Sequence, residues 1–416
     1  MGNTLEELVQ DIIKKKKNVS DLLEALIREA FHESASDIHL EHQEEKTMLL
    51  RYRIDGILHD ITTIDKDVAE NLVFMIKVKA KLRTDVHFSP QDGKIGFAIV
   101  QGGEETTVKI DARVSIVPIT HGQKVVIRLL AQQKRALTLE ELGLSKKDIE
   151  KLQKGYRRPY GLILSTGPTG SGKTTTLYSM LSILNSREVN ITTVEDPVEF
   201  SINGVNHIQI NPKADLTFAN GLRSILRQDP NIIMVGEIRD DETAVITANA
   251  ALTGHLVLST LHANDAISTI PRLLNLSIEP FLLATIVNVI MSQRLCRRLC
   301  QNCKKEYTLS KDLVQAEMLK ARPDIGHHLK KTDKLYKSVG CDKCRKRGYR
   351  GRIGIYEILE ITPKIREALA NNMNTEDIFK LAKEEGFKLM IEDGIEKVKN
   401  GNIDISELMK VISIKE

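Results

Sequence analysis

Residues 167–174 read Gly167-Pro168-Thr169-Gly170-Ser171-Gly172-Lys173-Thr174 and fit the pattern G-x-x-x-x-G-K-[ST]. A wholly apolar run, Leu162 to Leu164, comes directly before it, and a helix-forming run, Thr175 to Leu184, comes directly after. A buried strand, a glycine-rich turn and a helix are what this chemistry needs. Glycines let successive backbone N–H groups converge on a phosphate, and the helix N-terminus adds a favourable dipole. Lys173 then reaches the outer phosphates of ATP, and the Thr174 hydroxyl is placed to ligate Mg²⁺. Gly167, Pro168, Thr169, Gly170, Ser171, Gly172, Lys173, Thr174 and Thr175 are therefore the candidate nucleotide-binding residues.

Outward from this loop, strands and helices alternate. The apolar runs at 161–166, 191–195, 207–210, 232–237 and 256–262 are separated by helical segments such as Thr174 to Asn185 and Asp241 to Leu252. That alternation predicts an α/β unit with a parallel sheet covered on both faces, here carrying a phosphate loop. Three of the runs end in chemistry-bearing residues: Glu195 in TVEDPVEF (193–200), Glu237 in IIMVGEIRD (232–240) and His262 in TGHLVLSTLHAND (253–265). A carboxylate at the end of a buried strand beside a phosphate loop can hold the Mg²⁺ shell or polarise an attacking water.

Composition bounds the rest. Lys and Arg total 60 against 56 Asp and Glu, so a formal charge of +4 argues against a chain devoted to coating nucleic acid. Aromatics are only 4%, with no Trp, which disfavours a base-stacking surface. No stretch approaches the roughly 18–20 apolar residues that span a bilayer, and the N-terminus lacks an apolar signal core, so a cytoplasmic location is expected. Residues 5–32 show helical spacing, with Asn18 or Ser20 as a cap. Period-two runs at 36–41, 47–55, 106–117 and 124–130, with a helix at 69–83 between them, predict an α+β domain. The expected organisation is N-terminal helices at 1–34, the α+β domain at 35–130, a linker at 131–150, the ATPase core at 151–293, a cysteine module at 294–352 and a C-terminal helical region at 353–416.

Four of five cysteines form two CxxC pairs, Cys300/Cys303 and Cys341/Cys344, a spacing that suits tetrahedral Zn²⁺. Cys296 is expected to be a packing residue. Arg294, Arg297, Arg298, Lys304, Lys305, Lys343, Arg345, Lys346 and Arg347 flank the pairs. Basic zinc modules often bind nucleic acid, so a DNA-translocating P-loop ATPase is the rival reading.

The ordered set GPTGSGKTTT, TVEDPVEF, LRQDPNIIMVGEIRD and TGHLVLSTLHAND resembles the secretion ATPases of type II secretion and type IV pilus assembly. ASDIHLE at 35–41, RYRIDG at 51–56, PQDGK at 90–94 and DARVSIVPITHGQKVVIRLL at 111–130 resemble that family's PAS-like N-terminal domain, and GRIGIYEIL at 351–359 extends the likeness downstream. The resemblance implies that Glu237 is the Walker B general base, Glu195 an assisting acid and His262 the His-box histidine. Arg223 and Arg227 then sense nucleotide, and Arg113 and Arg128 close over the phosphates. It further implies ATP, Mg²⁺ and a structural Zn²⁺, a homohexamer, and peripheral association with the cytoplasmic membrane through an inner-membrane platform protein. Nucleic acid is not an expected partner. The tetracysteine favours assembly or secretion ATPases over pilus-retraction ATPases. The Asp box, the His box and the N-terminal strand block weigh against the DNA-translocating reading.

Overall fold

A computed structural model describes residues 5–15, 18–44, 47–100, 107–131, 136–309, 320 and 322–412. The chain divides into two compact units, Met1–Lys134 and Arg135–Glu416.

The first unit contains α1 (Leu5–Lys15), α2 (Val19–His32), β1 (Ala35–Glu44), β2 (Thr47–Ile54), β3 (Ile57–Asp65), α3 (Lys66–Lys79), β4 (Gln91–Val100), β5 (Thr107–Ile119) and β6 (Gly122–Ala131). Among the described residues its strands form one antiparallel sheet in the order β3-β2-β1-β6-β5-β4. Strict alternation buries Met48, Leu50, Tyr52 and Ile54 on one face of β2. Leu22 and Leu26 of α2 and Leu72 and Ile76 of α3 join these side chains in a single core. Asn18 caps α2 by accepting from the Ser20 N–H. The helices expected as a separate segment at 1–34 thus share the sheet's core.

The second unit opens with α4 (Lys146–Tyr156), β7 (Gly161–Thr166), α5 (Lys173–Leu184), β8 (Ile191–Glu195), β9 (Val205–Gln209), α6 (Phe218–Ile225), β10 (Ile232–Val235), α7 (Asp241–Leu252) and β11 (Leu256–Leu261). It continues through α8 (Thr269–Leu274), α9 (Pro280–Ile286), β12 (Val287–Leu299), β13 (Lys305–Thr308), β14 (Lys334–Lys337) and β15 (Tyr349–Glu360). Helices Pro363–Ala370, Thr375–Glu384, Met390–Lys399 and Ile405–Val411 follow. Among the described residues the main sheet runs β15-β12-β7-β11-β10-β8-β9, parallel throughout except for the antiparallel edge strand β15. β7, β8, β10 and β11 are buried at every position, the pattern of strands covered on both faces.

Two features differ from the reading of the sequence. Most of the stretch expected as a linker packs into this unit: Leu139, Leu144 and Ile149 are buried with Ile163 and Tyr356. Apolar residues spaced that widely among charges read as a connector until a partner surface is known. Residues 132–135 lie outside the described set. In addition, β12 carries the main sheet past position 293, and β15 begins before 352. Arginines on these strands disguised the continuation. Arg297 is one, and its guanidinium is taken up by Glu407 and stacked 3.9 Å from the Tyr349 ring centre.

Candidate active site and metal centre

The strand order places the sequence motifs side by side. β7, β11, β10 and β8 are consecutive in the sheet, so the phosphate loop, His262, Glu237 and Glu195 all follow or end the carboxyl ends of adjacent strands. Ligands of open α/β sheets bind at that edge.

The loop itself is set by backbone conformation. Gly167, Gly170 and Gly172 have φ of 140°, 78° and 89°, values that L side chains rarely adopt. A Cβ on Gly167 would lie 2.6 Å from the Gln293 carbonyl oxygen, and one on Gly172 would lie 2.7 Å from Gln293 Nε2. Gln293 is the brace. Its Nε2 donates to the Ser171 carbonyl at 2.7 Å and its Oε1 accepts from Thr176 Oγ1 at 2.9 Å. Lys173 Nζ donates to the carbonyls of Gly167 (2.8 Å) and Pro168 (3.1 Å). Burial lowers its pKa, Glu237 opposes that shift, and Arg294 adds to it. Buried hydroxyls of Thr166 and Ser171 have no hydrogen-bond partner among the described residues. An ammonium held only by carbonyls, beside orphaned hydroxyl groups, fits a polyphosphate with its Mg²⁺.

Glu237 is 13% exposed and meets Arg239 directly, while His262 Nε2 lies 3.3 Å from its other oxygen. Backbone stitching fixes this pair: Ile238 N–H donates to the Thr260 carbonyl at 3.0 Å, and Thr260 Oγ1 donates to the Gly236 carbonyl at 2.7 Å. Lys173, Glu237, Arg239 and His262 therefore form one cluster. Arg239 was missed in the sequence, although its position two residues beyond Glu237 was a usable signal. Gln293 and Thr176 gave none. Arg294, read from sequence as part of the basic flank of the cysteines, instead donates to the Asn264 carbonyl at 2.7 Å in the His262 loop.

Glu195 has a different setting. It is 2% exposed, takes a hydrogen bond from the Tyr178 hydroxyl, and lies 2.8 Å from His207 Nδ1. The Ile202 N–H donates to His207 Nε2 at 3.1 Å, so the imidazole proton sits on Nδ1, facing Glu195. Burial, then Glu195, raises the Tyr178 pKa. Tyr178→Phe removes a donor from a buried carboxylate and should cost about 1.5–3 kcal/mol of stability, read by chemical denaturation. A change near zero would mean that Glu195 is not anchored there.

The predicted arginines are spread. Arg223 and Arg227 are exposed on α6 and just after it; Arg223 pairs with Glu242 at 2.6 Å, and Arg227 donates to Ser224 Oγ at 3.4 Å. Arg113 and Arg128 face one another across β5 and β6, and Arg128 Nε donates to Asp37 at 2.9 Å.

The cysteine cluster comes together from two turns flanking the β13–β14 hairpin. All four sulfurs lie within 4.8 Å of one another, with Cys300–Cys341 at 3.9 Å, Cys303–Cys344 at 3.8 Å and Cys341–Cys344 at 3.7 Å. A tetrahedron with Zn–S bonds near 2.3 Å has edges of about 3.8 Å. Backbone N–H groups of Gly340 and Gly348 donate to Cys303 and Cys344 sulfurs at 3.3 and 3.2 Å, the support that thiolates need. The donor set fits zinc. Cys296 is buried away from the cluster, and burial pushes its thiol up to about 12.

A phosphate loop at the head of α5, an acidic cluster on the adjacent strands and a two-faced parallel sheet define a P-loop ATPase with a RecA-like core. Residues 13–410 match the family model described as Type II/IV secretion system protein, and the chain belongs to that family. It is 42% identical over 411 residues to the type II secretion system ATPase E of Vibrio cholerae, covering 98% of this chain and 78% of that one. It is 43% identical over 430 residues to the type IV pilus assembly ATPase PilB of Myxococcus xanthus, covering 98% and 74%. Among solved structures, the pilus retraction motor PilT with bound ADP aligns with a TM-score of 0.59 and 25% identity, over 94% of this chain and 97% of that one. The chain is an ATPase of the secretion and pilus motor class. No helix among the described residues is long and apolar enough to cross a membrane.

Proposed function

We propose that this chain is a homohexameric, Mg²⁺-dependent motor that drives type II secretion or type IV pilus assembly from the cytoplasmic face of the inner membrane, through a membrane platform protein. The observation that carries the reading is the cluster of Lys173, Glu237 and His262 at one sheet edge in a chain so similar to named secretion and pilus ATPases. In the cycle, the loop glycines and Lys173 hold the phosphates. Thr174 and Glu237 would hold Mg²⁺, which screens phosphate charge when bound. Glu237 orients the attacking water once Arg239 and His262 release it. Glu195, anchored by Tyr178 and His207, supports the end of β8. Zn²⁺ is proposed at Cys300, Cys303, Cys341 and Cys344 as a structural ion.

Nucleic-acid translocation finds less support. Part of the basic charge near the cysteines is spent within the fold: Arg297 on Glu407, Lys304 on the Gly401 carbonyl and the Tyr336 ring, and Arg294 on the Asn264 carbonyl. The deciding experiment measures ATP turnover with the cytoplasmic domain of a platform protein and, separately, with duplex DNA. Stimulation by DNA alone would reverse the assignment.

Arg113 and Arg128 are proposed to contact phosphate only during turnover. Arg113→Ala and Arg128→Ala should each lower kcat about tenfold or more while leaving oligomer mass and melting temperature near wild type. Unchanged hydrolysis in both would remove these arginines from the mechanism.

A further inference from the structure

The first unit contains a cavity of about 830 Å³, walled by α3, the segment after it and the turn between β5 and β6. That is the volume of a small-molecule site. Lys77 reaches its lining from α3 and is 1% exposed. Its ammonium has a carbonyl for a partner, donating to Val86 O at 2.7 Å. Asp85 acts on it through space, but both oxygens of that carboxylate are gripped by Arg83, at 3.2 and 2.6 Å. Three N–H donors on a buried cation call for an anion, because a carbonyl alone does not repay its lost hydration.

Most of the remaining polar lining can donate N–H or O–H hydrogen bonds. Lys66, His42, His87 and His121 border the cavity, and the acid among the lining residues, Glu70, lies 3.9 Å from Lys66. His42 is seated at Gly122, where φ is +111° and a Cβ would come within 2.9 Å of the imidazole. Phe74, three residues before Lys77 on the same helical face, is 53% exposed at the cavity wall. A helix seldom leaves a phenyl ring uncovered beside a buried cation without something to lie on it.

We propose that this cavity binds a small, freely diffusing phosphate monoester, its phosphate on Lys77 and its apolar or ring portion against Phe74. Phosphate suits the lining better than a carboxylate, since it offers more acceptor oxygens and greater charge to several N–H donors. The site lies on residues other than the phosphate loop, and its occupancy is independent of Lys173.

The test uses the full chain with histidine-labelled imidazoles, assigned by His42→Gln, His87→Gln and His121→Gln, and titrated with phenyl phosphate, glycerol phosphate and inorganic phosphate. The expected result is a saturable shift of the His42 and His121 signals, tightest for phenyl phosphate and preserved in Lys173→Ala. Lys77→Met should weaken that binding at least about tenfold and raise the melting temperature in phosphate-free buffer, because an uncompensated buried cation is gone. Phe74→Ala should weaken phenyl phosphate but leave inorganic phosphate unchanged. Signals that do not move, or that move equally in Lys77→Met, overturn the proposal. So does a shift seen only with phosphatidic acid vesicles, which would assign the surface to a membrane.

Discussion

Replacing Glu237 with Gln should leave ATP binding intact while hydrolysis falls by roughly 10²-fold or more. The amide keeps the shape and one acceptor oxygen but can neither take a proton nor complete the charge that faces Arg239 and His262. Lys173→Ala should behave differently. Nucleotide affinity and hydrolysis should both collapse, since Nζ is the cation at the centre of the loop and its present partners are the loop's own carbonyls. Equilibrium binding of a fluorescent ATP analogue and single-turnover hydrolysis on the same preparations separate the two. Near-normal turnover by Glu237→Gln would end its assignment as base or water-orienting group, and tight binding by Lys173→Ala would do the same for the loop lysine.

The second large effect concerns the metal. Protein purified without added metal should contain one zinc per chain, and Cys341→Ser or Cys344→Ser should lose it. Structural zinc contributes on the order of 10 kcal/mol or more of binding free energy at neutral pH. The two turns flanking the β13–β14 hairpin should therefore open when it is lost, seen as loss of amide protection around Gly340 and Gly348. Both residues now donate to cysteine sulfurs. The core sheet should remain protected, because β12 and β15 are paired without a break from Val289↔Glu360 to Arg297↔Arg352, outside the cluster. Cys296→Ser should keep a full complement of zinc, at a stability cost from placing a hydroxyl in an apolar site. Zinc lost from Cys296→Ser and retained in Cys341→Ser would mean that the wrong four thiols were chosen.

Much of the site was legible because its logic is local. Phosphate binding needs glycines, a lysine and a hydroxyl within a few residues of one another, and zinc needs paired thiols, so residues 167–174 and the two CxxC turns announced themselves. Glu195 was legible in position but not in setting. Nothing in TVEDPVEF says that Tyr178, from the helix before it, and His207, from the strand after it, will grip that carboxylate. Arg294 was misread for a related reason. A basic run beside cysteines looks like one surface, yet strand alternation sends Arg294 towards the phosphate loop and Arg297 towards Glu407.

The sequence by itself determined the chemistry: a P-loop, its acidic partners, a tetrathiol and two units of different secondary-structure pattern. Tertiary structure decided adjacency. That β7, β11, β10 and β8 are neighbours follows from crossovers whose lengths are silent about strand order, and this order alone brings Glu237 and His262 to Lys173. Gln293 bracing the loop, residues 139–149 joining the core and Lys77 buried at a cavity wall are likewise long-range outcomes. Their causes are packing and desolvation, which act between residues far apart in the chain and leave no mark on the residues next to them.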